Sequence, residues 1–194
     1  MLKNQLRPAL VATLVLMVIT GLLYPGAVTV VAQLLFPRQA NGSLLAVHDT
    51  IRGSELIGQQ FARAEYFHSR PSAAGAGYDD TLSAGTNKGP TDRKLADTLI
   101  AQAVDSAVKL DGAVRGQVPA DLATRSGSGL DPHISPASAE LQVERVARAR
   151  NADLAVVRQL VARYTEGRQL GFFGEPRVNV LRLNLALDSL TRGP

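Results

Sequence analysis

The chain of 194 residues has no cysteine and no tryptophan, only three histidines, and no acidic residue before Asp49. Without cysteine there can be no disulfide, no thiolate nucleophile and no cysteine metal site. That absence leaves the compartment open, because a large domain can exist outside a bacterial cell without disulfides. Aromatic residues make up 5% of the chain, so its core must be built from Leu, Val and Ala. The net charge is +4, and Lys3 and Arg7 supply part of it; the remaining 19 basic residues face 17 acidic ones. That mixture lacks the clustered Lys and Arg of a nucleic-acid footprint. No internal repeat and no low-complexity tract is visible. The length suits one domain plus an anchor.

The longest feature present is apolar. Thirty uncharged residues lie between Arg7 and Arg38. A bilayer core needs about 20 apolar residues, so the run is long enough to span. Pro25 within it predicts a kink or a change of direction. A cleavable signal peptide is the rival reading, and the basic start and small residues near Val30 and Ala32 fit one. Against it, the run exceeds the usual signal core of about 7–15 residues, and no strong A-x-A site closes it. A buried helix of a soluble domain would need a polar face, and none exists. Lys3, Arg7 and the amino terminus place the start of the chain in the cytoplasm. The expected organisation is therefore a cytoplasmic N-terminus over residues 1–8, a transmembrane anchor over 9–36 and an extracytoplasmic α+β domain over 37–194.

Within that domain, residues 42–47 and the region around Tyr66, Phe67 and His68 read as short strands. Residues 70–90 have no period and many turn residues, which predicts a long loop. A helix is expected from Thr91, as N-cap, to about Leu110, ended by Asp111-Gly112. A second starts at Ser135-Pro136, cap then first turn. It should turn Ala139, Val143 and Val146 inward and pair Glu144 with Arg148 outward. Asn151 is expected to cap a third helix striped with Leu154, Val157, Leu160, Val161 and Tyr164, closed by Gly167. Residues 177–188 alternate with one slip at Leu181-Arg182, which predicts a strand with a bulge.

The richest stretch chemically is residues 121–136, with Ser126, Ser128, Asp131, His133 and Ser135 close together. A hydrolase would use Ser128 as nucleophile and His133 as base, but the G-x-S-x-G elbow is absent. The glycines and the Ser-Pro cap account for the stretch as a tight loop feeding a helix. His48, His68 and His133 all fall in turn-rich segments, and no H-E-x-x-H or EF-hand spacing joins them to acids. No G-x-x-x-x-G-K-[ST] loop is present either. Ser126-Gly127-Ser128-Gly129 offers backbone N–H groups to a phosphate, but without a nearby Lys. These residues leave a secreted periplasmic binding or hydrolytic domain, released after signal cleavage, as the alternative to an anchored subunit.

Several strings nevertheless occur in a telling order. The anchor opens with Leu6-Arg7-Pro8-Ala9, passes Gly21-Leu22-Leu23-Tyr24-Pro25 and exits by Phe36-Pro37-Arg38-Gln39-Ala40-Asn41-Gly42. Then come Gly53-Ser54-Glu55-Leu56-Ile57-Gly58, Tyr66-Phe67-His68-Ser69-Arg70-Pro71-Ser72 and Thr86-Asn87-Lys88-Gly89-Pro90. The segments 126–136 and 142–150 follow, and Gly174-Glu175-Pro176-Arg177-Val178-Asn179 comes last. Along nearly the whole length this pattern resembles KdpC, the C-subunit family of potassium-transporting P-type ATPases. Thr86 departs from it, where Ser is commoner.

The resemblance implies a non-catalytic subunit of a high-affinity potassium uptake pump in a bacterial inner membrane. A channel-like A subunit would carry potassium, a B subunit would hydrolyse ATP, and a small F subunit would add a helix. The C subunit would support assembly, stability and full activity. It would bind no cofactor directly, ATP and potassium being used by the complex. The DKTGT-like phosphorylation segment of the pump itself is missing. The family also links nucleotide affinity to a glutamine matching Gln142, although the charge asymmetry places that helix opposite the ATP. Arg70, Pro71, Ser72, Asn87, Gly89, Pro90, Ser126, Gly127, Gly129, Asp131 and His133 are the structural or partner-interface candidates.

Overall fold

The computed structural model describes residues 2–47 and 49–191, so His48 lies outside it. The chain divides into two compact units between Arg52 and Gly53.

In the first unit, α1 (Leu2–Val18) continues through a π-helical turn (Ile19–Leu23) into α2 (Tyr24–Leu35). The helix runs on through Pro25 without a break. Proline lacks the N–H of a regular turn, and the wider turn just before it, in which Tyr24 N donates to Ile19 O, accommodates the loss. Thr20 and Thr29 return their hydroxyls to the carbonyls of Leu16 and Pro25 at 2.7 and 2.8 Å, so neither carries an unmet donor. The helix is uninterrupted and apolar over 32 residues, Asn4–Leu35. At 1.5 Å per residue it is about 48 Å long, more than the ~30 Å hydrocarbon core of a bilayer. Its Leu, Val and Ile side chains are exposed all round. Such a helix suits a single-pass membrane protein, since its backbone is satisfied internally and its surface is apolar. A short α3 (Pro37–Ala40) follows, and then β1 (Leu44–Val47) and β2 (Thr50–Ser54) form a two-stranded sheet. The strand expected within residues 42–47 is β1.

After the last two residues of β2, Gly53 and Ser54, the second unit continues with a long stretch free of helix and strand, as the turn-rich composition predicts. Its first helix is capped by Asp92, not Thr91: Leu95 N donates to Asp92 Oδ1 at 3.2 Å. A π-helical segment (Leu95–Ile100) leads into α4 (Ala101–Asp111), which stops at left-handed Gly112 (φ 68°). After α5 (Ala120–Ala123) and β3 (His133–Ile134) comes α6 (Pro136–Arg150). Here the expectation holds. Ser135 Oγ accepts from Ser138 N, Ala139, Val143 and Val146 are buried, and Arg148 donates to Glu144 at 2.9 Å.

Asn151 ends α6 in the left-handed region, and α7 (Leu154–Arg163) is capped by Asp153, whose carboxylate accepts from Ala155 N. The cap expected at Asn151 therefore belongs to the preceding helix. Gly167 does not close α7 either, because Tyr164 does, and Thr165–Glu166 is already strand β4.

The largest correction is at the carboxyl end. Only Arg177–Asn179 is a strand, β5; Val180–Thr191 is helix α8. Asn179 Oδ1 accepts from Arg182 N at 3.1 Å and starts the helix where a bulge was expected. Val180, Leu183 and Leu187 then recur at helical spacing and are buried. Strand β5 sits between β3 and β4 in an antiparallel sheet, with His133 opposite Asn179 and Thr165 opposite Val178. Helices α6, α7 and α8 pack around it with Phe67, Ile134, Val157, Val161 and Val178. Burying each Leu, Val or Phe contributes about 1.5–3 kcal/mol. The domain is α+β, rich in helix with small sheets.

Candidate functional site

Two loops carry most of the candidate residues, and the fold interlocks them. Ser72 Oγ donates to Gly129 O at 2.6 Å and accepts from Ala74 N and Tyr78 N. Ala84 N and Ser83 Oγ donate to Ser128 O. Ser126 Oγ accepts from Gly129 N at 2.8 Å. Gly129 has φ 68°, and a Cβ there would lie 2.5 Å from Ala84 O and 2.7 Å from Ala74 N. The glycine is required by close backbone approach as well as by its dihedral. Ser128 Oγ accepts from Leu130 N, a local turn bond rather than the pairing a nucleophile needs.

Arg70, Asp131 and His133 meet across the same junction. Arg70 NH1 lies 2.8 Å from Asp131 Oδ2. Asp131 Oδ1 accepts from His133 N at 3.0 Å, and His133 Nδ1 is 3.5 Å away. Burial pushes the Asp131 carboxyl up, but the bonds from His133 and the Arg70 guanidinium outweigh it and hold the pKa at about 2. Tyr78 donates its hydroxyl to Arg70 O, and burial raises that phenol to about 12. Pro71 lines a neighbouring cleft of about 300 Å³ with His68, Arg125 and Gln142. Asn87, Gly89 and Pro90 are exposed on the approach to Asp92, and no described contact joins them to this junction. Gly127 is exposed, its carbonyl near Gly85.

A pH dependence follows from Asp131. Its folded pKa lies below the usual 3.8, so its contribution is complete above pH 3.8 and is lost as pH falls through about 2. After discounting for solvent screening it is worth about 1–2 kcal/mol. The stability gap between the native chain and Asp131→Asn should be constant above pH 5 and close towards pH 2 in acid unfolding followed by circular dichroism.

Gln142 sits in a different arrangement. It is 1% exposed, and all its amide groups are engaged. Oε1 accepts from His68 N at 2.7 Å and from Arg145 NH2 at 2.7 Å. Nε2 donates to His68 O at 3.1 Å and to Ser138 O at 3.2 Å. One residue along, Asn184 does the same for Phe67, accepting from its N and donating to its O at 2.9 Å each. Two side-chain carboxamides therefore take the place of strand partners for Phe67 and His68. The segment belongs to no sheet, and Tyr66 lies in a bend, which corrects the strand expected there. Arg145 adds bonds to Ala64 O and Tyr66 O, and Arg150 adds one to Glu65 O. Burial, and then the Arg145 charge, lower the pKa of His68.

Sequence reasoning missed Arg145 and Asn184. The available signal was position: both are polar at spacings that place them beside an apolar stripe, Arg145 next to Val146 and Asn184 next to Leu183. At the head of α6, Asp121 accepts from Ser135 N, Ser135 Oγ and Ser138 Oγ at 2.7, 3.0 and 2.6 Å. It thereby fixes the loop's exit. Among the described residues no group of three His, Asp or Glu is placed to hold a metal.

Comparison with known proteins bears on the whole chain. The family model KdpC, described as the c chain of the K+-transporting ATPase, matches residues 6–189. A potassium-transporting ATPase KdpC subunit of Gemmatimonas aurantiaca is 63% identical over 98% of this chain and 95% of its own length. The subunit of the same name from Methylococcus capsulatus is 56% identical over 96% and 98%. That of Mycobacterium tuberculosis is 52% identical over 97% and 100%.

Proposed function

Because the chain belongs to the KdpC family of potassium-transporting ATPase subunits, we propose that it supports assembly, stability and full activity of that pump without catalysing a step itself. The observation that carries this reading is the extent of the family match, which takes in both the apolar helix and the domain after it. The partners would be the channel-like A subunit, the ATP-hydrolysing B subunit and the small F subunit. The helix would anchor the chain in the bacterial inner membrane, with residues 1–8 in the cytoplasm and residues from 37 onward in the periplasm. Lys3 and Arg7 against an otherwise uncharged run support that orientation.

One helix cannot line an ion pathway, which needs several helices or a closed barrel around polar groups. A tethered domain can still act on the pump. The anchor raises its local concentration, so a modest interface suffices. If the domain binds one pump conformation better than another, it shifts their populations and changes apparent affinities at a distance.

On this reading Gln142 acts through the fold. Its four hydrogen bonds leave its amide nothing to offer a nucleotide, and its replacement would loosen residues 66–68. The test is ATP binding by the purified chain and ATP turnover by the assembled pump. We expect no ATP binding by the chain alone, and an intact mass that begins at Met1. Gln142→Leu should lower the thermal midpoint of the isolated chain. Tight ATP binding by the isolated chain, lost in Gln142→Leu with the fold retained, would overturn this reading. A soluble form beginning near Gln33 would overturn the anchor.

A further inference from the structure

Among the described residues of the second unit, the two most exposed large apolar side chains, Leu170 and Phe172, sit on one hairpin with a third, Phe173. Leu170 is 84% exposed, Phe172 64% and Phe173 56%. They occupy the turn between β4 and β5, and nothing in the core calls for them. An exposed apolar cluster is costly to solubility and commonly marks a contact surface.

The turn is built to hold its shape. Gln169 N donates to Phe173 O and Phe173 N to Gln169 O, both at 2.9 Å. Phe172 N donates to Gln169 O and Gly171 N to Arg168 O, both at 3.2 Å. Most N–H groups of the tip are thereby satisfied internally and would survive removal from water. The two phenyl rings pack at 4.2 Å between centroids as one block. Leu170 has φ 53°, a left-handed conformation that glycine would adopt more easily. A strained, exposed leucine is a double disadvantage for the isolated chain, and such strain concentrates at contact and functional sites.

We propose that the tip of residues 170–173 is a pre-formed knob that seats in an apolar, uncharged socket on another protein subunit of the pump. The inference rests on the subunit reading above. Charge selects this occupant over the bilayer. The tip carries no Lys, Tyr or Trp, the residues that anchor loops among lipid headgroups. The cation at its neck, Arg168, is bound by both oxygens of Glu175 at 2.9 and 2.8 Å, which leaves a neutral collar. Rigidity selects it too. Pre-organisation lowers the entropic cost of entering a shaped pocket, whereas a fluid bilayer has no shape to reward it. Aromatic anchors in desolvated pockets are also the side chains that dominate protein interfaces.

The absence of native cysteine makes the test direct. Gln169→Cys gives one labelling position beside the knob for an environment-sensitive dye. The dye should report water when the full-length chain is alone in phospholipid vesicles, and shielding when it is in the assembled pump. The double variant Phe172→Ser/Phe173→Ser should weaken subunit association about 30-fold or more, equivalent to about 2 kcal/mol. Leu170→Gly should weaken it in the same direction while leaving the thermal midpoint of the isolated chain unchanged or higher, because the strain is relieved. Shielding by vesicles alone would overturn the proposal in favour of a lipid contact. A dye that stays in water within a normally assembled pump would overturn this proposal alone. Failure of the native chain to co-purify with any pump subunit would overturn the subunit reading and the knob with it.

Discussion

Replacing both Leu16 and Ile19 with arginine should abolish recovery of the chain in the membrane fraction. Both residues lie in the middle of the 32-residue apolar helix, and neither is covered by the rest of the chain. An arginine at the centre of a spanning helix costs about 2.5–3.5 kcal/mol on the insertion scale, so the pair costs about 5–7 kcal/mol. That is enough to reverse the insertion equilibrium, since each 1.4 kcal/mol is about tenfold. Snorkelling cannot relieve both, because they sit three residues apart near mid-helix and far from either end. A control with Leu16→Ala and Ile19→Ala keeps the helix and removes bulk without charge, and it should insert. The measurement is the share of chain that resists carbonate extraction from membranes. Normal recovery of the double-arginine variant would show that the helix does not span.

The second large effect belongs to Arg145. Its side chain is 7% exposed, and that of its partner Asp111 is 5% exposed, with 2.6 Å between Nε and Oδ1. The same guanidinium donates to Gln142 Oε1, Ala64 O and Tyr66 O. Arg145→Ala would leave a buried carboxylate without its cation, at a cost of about 3–5 kcal/mol. Against a typical domain stability of about 5–15 kcal/mol this is a large share. The double variant Asp111→Leu/Arg145→Met separates two causes. Removing both charges should restore most of the loss, because an apolar pair of similar size can replace a buried ion pair. It should not restore all of it, because the carbonyls of Ala64 and Tyr66 still lack their donor, worth about 1–3 kcal/mol. Chemical denaturation of the detergent-solubilised chain, followed by circular dichroism, measures each step. Full recovery in the double variant would mean that the bonds to residues 64 and 66 contribute nothing.

The two units differ in how much of them can be read from the chain alone. The anchor is local: thirty uncharged residues fix a long apolar helix whatever surrounds them, because its backbone bonds close within the segment. Helix α6 is equally local, since Ser135, Pro136 and the stripe of Ala139, Val143 and Val146 all speak for the same start and face. The family pattern was also legible, because order along the chain is itself sequence information.

Residues 177–191 show where local reading stops. Val178, Val180, Leu183 and Leu187 are compatible with period 2 early and period 3.6 later, and the switch depends on Asn179. Its side chain caps α8 through Arg182 N while its own residue still pairs with His133 in the sheet. Propensity cannot rank those two roles, and packing against α7 and the sheet does. The run at Phe67 and His68 is the stronger case. Its hydrogen-bond partners are side chains of Gln142 and Asn184, 74 and 117 residues away. By itself the sequence determined the apolar helix, the N-cap of α6 and the absence of cysteine chemistry. Tertiary structure alone decided that two buried carboxamides stand in for a missing strand, because a peptide taken out of water must find its partners wherever the fold brings them.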